Sequence, residues 1–226
     1  MFRIIFALQF LLLLCGIIFT DERTVPTSIS LIISFSFVVF AVILSRLNKD
    51  VYSKTMAVAS AVYLLGNIVL AGILPLGFMI GMAIYFVAQA LNILTFIRTS
   101  KELNKSVFNK GFLVGIIGYF VIMIAVWWIF FEPASNLKPI TFIALFYGLW
   151  LSVMAASALS LFFNDKRYVF TAVGSAIFVA SDFIAGIADI AGRNVPYKVN
   201  IVWITYVIAI GGIIYSKNLL RNPVTK

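Results

Sequence analysis

The sequence contains no histidine and a single cysteine, Cys15, which lies inside an apolar run. The absence of histidine excludes Ser-His and Cys-His catalytic pairs, and with one cysteine it removes the usual ligands of zinc. One cysteine also excludes an internal disulfide. Any chemistry must therefore be carried by carboxyl, amide or hydroxyl groups, and neither a metal ion nor an organic cofactor is expected.

Charged residues are also scarce, at 11% of the chain, whereas 63% of its 226 residues are apolar. A soluble domain is about a quarter charged and about half apolar. Lipid must therefore cover much of this chain. The net charge of +9 does not indicate nucleic acid, because the basic residues stand singly or in small groups between long apolar runs. Basic loops beside membrane spans are the expected pattern.

Eight apolar runs have the length or nearly the length of a helix that crosses about 30 Å of hydrocarbon. They are too long and too uniformly apolar for the strands of a membrane barrel. The first is interpreted as a retained helix, because no good signal-peptide cleavage site follows it. The sequence thus predicts an all-α, polytopic membrane bundle in one domain over residues 1–226. The predicted spans are 4–19, 28–44, 56–74, 77–97, 111–131, 140–163, 168–190 and 199–216.

The distribution of lysine and arginine indicates an orientation. Eight spans put both termini on one side, which then holds 13 of the 17 basic residues. This excess predicts cytoplasmic termini in a membrane such as the bacterial inner membrane. The four basic residues of the other side are Arg23, Lys138, Arg193 and Lys198. The 13 are Arg3, Arg46, Lys49, Lys54, Arg98, Lys101, Lys105, Lys110, Lys166, Arg167, Lys217, Arg221 and Lys226.

Polar residues inside the spans carry the functional signal, because they are costly in lipid. Asp182 lies deep in the seventh span without a basic residue in any span to pair with it, so its carboxyl is expected to be neutral and able to donate a proton. The alternative is an interhelical hydrogen bond. Asp189, on the same face about 10.5 Å further along the helix, is expected to reach interfacial water.

Three amides lie near the middle of the third and fourth spans: Asn67, Gln89 and Asn92. Each alone is typical of a hydrogen bond between helices. Together with Asp182 they are predicted to line one polar cavity at comparable depth. Three further residues are candidates for the same cavity, namely Tyr85, Ser181 and Tyr206.

A weak internal repeat is visible. Asn67 precedes Ala-Gly-Ile at 71–73, and Asp182 precedes Ala-Gly-Ile at 185–187. A parallel four-plus-four arrangement of the helices would place the two residues opposite each other.

The stretch 172–182, Ala-Val-Gly-Ser-Ala-Ile-Phe-Val-Ala-Ser-Asp, resembles a Gly-Ala-x-x-Phe-x-x-Ser-Asp motif in the seventh span of the YhhN-type lysoplasmalogenase family. That family has Gly-Asp in the third span, where this chain has Gly66-Asn67. Its Ala-His-x-x-Tyr in the fourth span corresponds to Ala88-Gln89-x-x-Asn92, and its Thr-Tyr-x-x-x-Gln in the last span to Thr205-Tyr206-x-x-x-Ile210.

The resemblance implies hydrolysis of the vinyl ether bond of a lysoplasmalogen, with a membrane lysolipid as substrate. In the family two aspartates are the acid and base. Asp182 retains one, and Asn67, which replaces the other, could orient water but not accept a proton. A non-catalytic lipid-binding or transport protein on the same scaffold is the alternative, followed by a proton-coupled transporter in which Asp182 titrates.

Overall fold

The computed structural model describes residues 2–20, 24–133 and 139–219. In these ranges the chain forms eight α-helices and no strand, as the apolar runs predict. A π-helical turn, Trp127–Phe131, extends the fifth helix, and a 3₁₀ turn, Lys166–Tyr168, precedes the seventh. The helices are α1 Phe2–Ile18, α2 Thr27–Asn48, α3 Val51–Leu70, α4 Phe78–Glu102, α5 Lys110–Val126, α6 Pro139–Asn164, α7 Val169–Asp189 and α8 Lys198–Leu219.

Seven of these helices are long and apolar enough to span a membrane, and α1, with 17 residues, is shorter. It packs beside α8. At one end the Arg3 side chain donates to the Leu219 carbonyl, with 2.7 Å between Nε and O. At the other end the backbone amide of Val25, in the segment that joins α1 to α2, donates to the Asn200 side chain over 3.1 Å. The fold is a polytopic helical membrane bundle in which α1 packs against α8.

Contacts between helix ends define two faces of the bundle. The Lys217 ammonium lies 2.5 Å from the Asp50 carboxylate and joins the end of α8 to the turn between α2 and α3. Lys105, after α4, donates to the carbonyl of Asn164 at the end of α6. We call the end of the bundle that carries Arg3, Asp50, Lys105, Asn164 and Lys217 the basic face.

Six helices form a ring, in which α2 contacts α3, α3 contacts α4, α4 contacts α6, α6 contacts α7, α7 contacts α8, and α8 returns to α2. Helix α1 packs outside α2 and α8, and α5 packs outside α6. The pairs α2–α3 and α3–α4 recur four helices later as α6–α7 and α7–α8, which agrees with a four-plus-four arrangement.

The α7–α8 pair packs backbone against backbone. A Cβ added to Gly174 would lie 2.6 Å from the carbonyl oxygen of Ala209, and one added to Gly212 would lie 2.9 Å from that of Phe170. No side chain can separate the two helices at this level. This contact fixes the part of α7 that precedes Ser181 and Asp182.

Helix α3 ends earlier than the sequence predicts, at Leu70 instead of residue 74. Gly72 follows in the left-handed region, at φ 74°, which suits glycine and breaks the helix before Pro75. Asn67 consequently lies within one turn of the end of α3. Its predicted position near the middle of a span is wrong.

Candidate functional site

A cavity of about 620 Å³ lies inside the ring of helices and opens at the face opposite the basic face. Its mouth is formed by helix ends, among them Thr27 at the start of α2, Ala71 after α3 and Lys198 at the start of α8. Of the seven residues predicted to form a site, five line this cavity: Asn67, Tyr85, Ser181, Asp182 and Tyr206.

Asp182 is the end of a short hydrogen-bonded chain. The hydroxyl of Tyr147, on α6, donates to Asp182 Oδ2 over 2.5 Å. The Tyr147 oxygen in turn accepts from Gln89 Nε2, on α4, over 2.6 Å. Asp182 Oδ1 has no hydrogen bond within the described part of the chain, and Asp182 is partly accessible from the cavity. One oxygen is therefore held in place while the other is left for a ligand.

Asn67 is the centre of a second cluster and is almost fully bonded. Its Nδ2 donates to Ser34 Oγ on α2 over 2.8 Å and to the Tyr206 hydroxyl on α8 over 3.0 Å. Its Oδ1 accepts from the hydroxyl of Tyr85 on α4. Asn67 is 6% exposed, so this one amide joins α3 to three other helices and leaves a single lone pair unused.

Three polar side chains of the cavity lie at one depth, about two helical turns from the face opposite the basic face. Tyr147 and Tyr206 are eight residues from the starts of α6 and α8, and Asp182 is seven from the end of α7. At 1.5 Å per residue these distances are about 10–12 Å. Tyr147 was not predicted from the sequence. Its equal distance from a helix end is the signal that could have found it.

Gln89 and Asn92 do not line the cavity, contrary to the prediction of one shared depth. Both are 0% exposed and lie deeper along α4, where Asn92 Nδ2 donates to the Tyr63 hydroxyl over 2.8 Å. Their side-chain oxygens have no hydrogen-bond partner in the part of the chain described. Gln89 reaches the cavity only through Tyr147, and Asn92 not at all.

The Ser181 hydroxyl joins α7 to α8 and does not point to the centre of the cavity. Its hydroxyl donates to the Val202 carbonyl on α8 over 3.2 Å. This bond lies one residue before Asp182. It adds a second fixed point, after the glycine contact, to the position of the carboxyl.

A charged pair stands at the mouth. The Lys198 ammonium lies 2.6 Å from Asp189 Oδ1, and the side chains are 34% and 38% exposed. Both residues line the same cavity as Asp182. Asp189 is thus ion-paired across the α7–α8 connection, which the sequence alone did not indicate.

The remaining wall is apolar and comes from the other side of the ring. It is built by Phe78 and Met82 on α4, Met123 on α5, Phe131 in the π-helical turn and Leu151 on α6. Phe78, the first residue of α4, is 41% exposed, so this wall is exposed where the helix begins, at the mouth of the cavity. The cavity is therefore amphipathic: apolar side chains of α4, α5 and α6 form one part of its wall, and polar side chains of α3, α7 and α8, together with Tyr85 of α4 and Tyr147 of α6, form the other.

Residues 2–20, 24–133 and 139–219 contain no group of three or more Cys, Asp or Glu side chains close enough to hold a metal ion. The polar groups of the cavity are hydroxyls, the amide of Asn67, the carboxyls of Asp182 and Asp189, and the ammonium of Lys198, which suit hydrogen bonding and ion pairing with a polar ligand.

The sequence profile of the YhhN family matches residues 5–216, nearly the whole chain. The chain belongs to the YhhN family. No curated protein and no solved structure matches it. Of the positions compared with the motifs of this family, Asn67, Ser181, Asp182 and Tyr206 line the cavity, whereas Gln89 and Asn92 do not.

Proposed function

We propose that this YhhN-family protein is a membrane hydrolase that cleaves the vinyl ether bond of a single-chain glycerophospholipid. The observation that carries the proposal is Asp182, whose carboxyl faces an amphipathic cavity with one oxygen held by Tyr147 and the other unbonded. A protonated carboxyl in such surroundings is suited to general acid catalysis.

In the first step, neutral Asp182 donates its proton to the outer carbon of the vinyl ether, and the carbon bonded to oxygen becomes an oxocarbenium ion. Water adds to that carbon, and the Asp182 carboxylate takes up the proton that the water releases. The resulting hemiacetal collapses to a fatty aldehyde and an alcohol on the glycerol. One water is consumed and no metal or organic cofactor enters the scheme.

Other residues position these groups. Tyr147 and Gln89 hold Asp182 Oδ2, so that Oδ1 carries the transferable proton. The unused lone pair of Asn67 Oδ1 orients the attacking water. Tyr85, Tyr206 and Ser181 keep the two clusters at fixed positions, and Asn92 supports α4 from behind through Tyr63.

The shape of the cavity supports a lipid with one chain. Its apolar wall on α4, α5 and α6 would hold the hydrocarbon, and its polar wall would face the glycerol. The excess of lysine and arginine on the basic face supports cytoplasmic termini, as in a bacterial inner membrane. The cavity then opens on the outer side.

One observation favours a second candidate, a lipid-binding or transport protein without turnover. Asn67 stands where the related lysoplasmalogenases are expected to have an acid, and its amide is occupied by three hydroxyl groups. A residue bonded in this way contributes to the structure of the cavity whether or not catalysis occurs.

The two candidates are separated by incubating the purified protein with vinyl ether, alkyl ether and ester forms of one lysolipid. Release of fatty aldehyde from the vinyl ether alone is the expected result. Saturable binding of all three lipids without any aldehyde would instead establish the lipid-binding candidate.

A further inference from the structure

The Asp189–Lys198 pair is placed to recognise a ligand as well as to join two helix ends. It lies at the mouth of the cavity, it is partly exposed, and both side chains belong to the cavity lining. We propose that this pair is the head-group site for a zwitterionic phosphodiester, with Lys198 on the phosphate and Asp189 on the ammonium. The inference rests on the proposed function, since it assigns the part of the lipid substrate that lies outside the reacting bond.

Distances along two helices support the assignment. Asp182 and Asp189 are seven residues apart on α7, and Lys198 and Tyr206 are eight apart on α8. These spacings correspond to about 10.5 and 12 Å along the helix axes, so the charged pair lies that much closer to the mouth of the cavity than Asp182 does. In a lysolipid, six bonds of about 1.5 Å join the vinyl ether carbon to the phosphorus, which spans about 7–8 Å in a partly extended chain. A vinyl ether beside Asp182 therefore brings the phosphate to about 3–5 Å below the level of the pair, and the ammonium, which lies beyond the phosphate, to that level.

The charges are complementary. A phosphate and an ammonium separated by a two-carbon spacer form a dipole, and the pair of Asp189 and Lys198 forms another. Placed antiparallel, the four charges alternate, so each has opposite charges as neighbours and the Asp189–Lys198 contact need not break. A neutral head would leave the pair as it is, and an anionic head would meet repulsion from Asp189.

Trp203 adds an observation from α8. Its side chain lines the cavity, and its ring lies edge-on to Tyr206 with 5.2 Å between centroids. Trp203 is five residues further along α8 than Lys198, so its ring lies about 7.5 Å deeper in the bundle than the start of the helix. Trp203 thus adds an aromatic wall below the pair, and leaves Lys198 for the phosphate and Asp189 for the ammonium.

The test measures binding of lipids that cannot be cleaved, by the change in tryptophan fluorescence of the full-length protein in detergent. The probes are 1-O-alkyl lysolipids with a phosphocholine head, with a bare phosphate, and with no phosphate at all. The variants are Lys198→Gln, Asp189→Asn and the exchange Asp189→Lys with Lys198→Asp. Arg193→Gln is the control, because Arg193 is an exposed cation of the same loop that does not line the cavity.

The wild type is expected to bind the phosphocholine lipid about tenfold more tightly than the lipid without phosphate. Lys198→Gln should remove most of this preference. Asp189→Asn should weaken phosphocholine binding and strengthen binding of the bare phosphate. Arg193→Gln should behave as the wild type. The exchanged pair keeps the ion pair but reverses its direction, so it should also lose the preference.

Equal binding of all three probes by the wild type would overturn the head-group site. An exchanged pair that binds phosphocholine as well as the wild type would also overturn it, because the pair would then be only a tie between α7 and α8. The probes need no turnover. Head-group selectivity lost in the variants, together with a wild type that releases no aldehyde from a vinyl ether, would support this site and end the hydrolase proposal.

Discussion

Two corresponding regions of the bundle differ in how fully their central polar residue is hydrogen-bonded. In the α3–α4 region, Asn67 makes three hydrogen bonds to hydroxyls on three other helices. In the α7–α8 region, Asp182 accepts one side-chain hydrogen bond, from Tyr147, and leaves its other oxygen toward the cavity. Asn67 therefore uses all of its hydrogen-bonding capacity except one lone pair within the fold, whereas Asp182 leaves a whole oxygen free for a ligand.

The glycines of the two regions also differ. A Cβ on Gly66 would meet the side-chain ring of Tyr85 at 2.6 Å. A Cβ on Gly174 would meet a backbone oxygen at the same distance. Helices α7 and α8, beside the carboxyl with the unbonded oxygen, are thus in direct backbone contact, whereas a side chain separates α3 from α4 at Gly66.

The largest expected effect is loss of the carboxyl that distinguishes the two regions. Asp182→Asn keeps the shape and the bond to Tyr147 but removes the transferable proton. Aldehyde release should fall by about 10²–10⁴-fold, the usual contribution of a general acid, while lipid binding and thermal unfolding change little. A folded variant with full activity would exclude Asp182 as the acid. A variant that fails to fold would favour a structural tie.

The difference in helix contact can be tested with alanine. Gly174→Ala should lower the free energy of unfolding by about 1–3 kcal/mol, because α7 must move away from α8. Gly118→Ala is the matched control, since an added Cβ there meets nothing within 4 Å. Thermal unfolding in detergent gives both values. Equal stability of the two variants would mean that the α7–α8 contact can relax, and the contrast with Gly66 would fail.

Asn67→Asp would remove the difference between the two regions, because each would then carry a carboxyl in the cavity. In Asn67→Asp the hydroxyls of Ser34 and Tyr206 can turn to donate to the new oxygen, and Tyr85 donates already. Aldehyde release should rise about tenfold. This is less than the full contribution of a general base, because the three hydroxyls around position 67 are arranged to bond an amide and not a carboxylate.

Asn67→Leu is the control for this exchange, since it removes all three hydrogen bonds and should lower stability without raising activity. A decrease in aldehyde release by Asn67→Asp at unchanged stability would contradict the proposed water-orienting position.

The smallest effect concerns Asp50, which joins the two regions at the basic face. Asp50 caps α3 through the Ser53 amide and pairs with Lys217 of α8. Partial burial favours a higher pKa, but Lys217 and Ser53 together hold the pKa of Asp50 below its ordinary value of 3.8. A lowered pKa contributes stability above the ordinary value, and that stability is lost as the pH falls through the folded-state pKa.

Asp50→Asn keeps a capping oxygen and removes only the ion pair. It should cost about 0.5–1 kcal/mol at neutral pH and nothing once Asp50 is protonated in the wild type. Unfolding of both proteins at pH 7 and pH 3 measures this. A gap between them that persists unchanged at pH 3 would show that the carboxylate charge is not its origin.

The sequence predicted the features that depend on neighbouring residues and missed those that depend on contacts between helices. The eight helices follow from apolar runs, which are local, and they are confirmed. The end of α3 was wrong because the apolar residues 73 and 74 extend the run beyond a left-handed glycine at position 72. Tyr147 and Lys198 were missed as site residues because their partners lie 35 and 9 residues away in the chain. Only the packing of α6, α7 and α8 brings them together.

The exposed Phe78 at the edge of the apolar wall has a consequence for how the protein is assayed. If the ligand is the proposed lysolipid, an apolar wall that is exposed at the mouth of the cavity is expected to receive the hydrocarbon chain from the bilayer and not from water. Two-dimensional diffusion would then set the encounter rate. Half-saturation should follow the mole fraction of lysolipid in the membrane, so diluting a fixed amount of lysolipid with inert phospholipid should slow turnover even though its bulk concentration is unchanged.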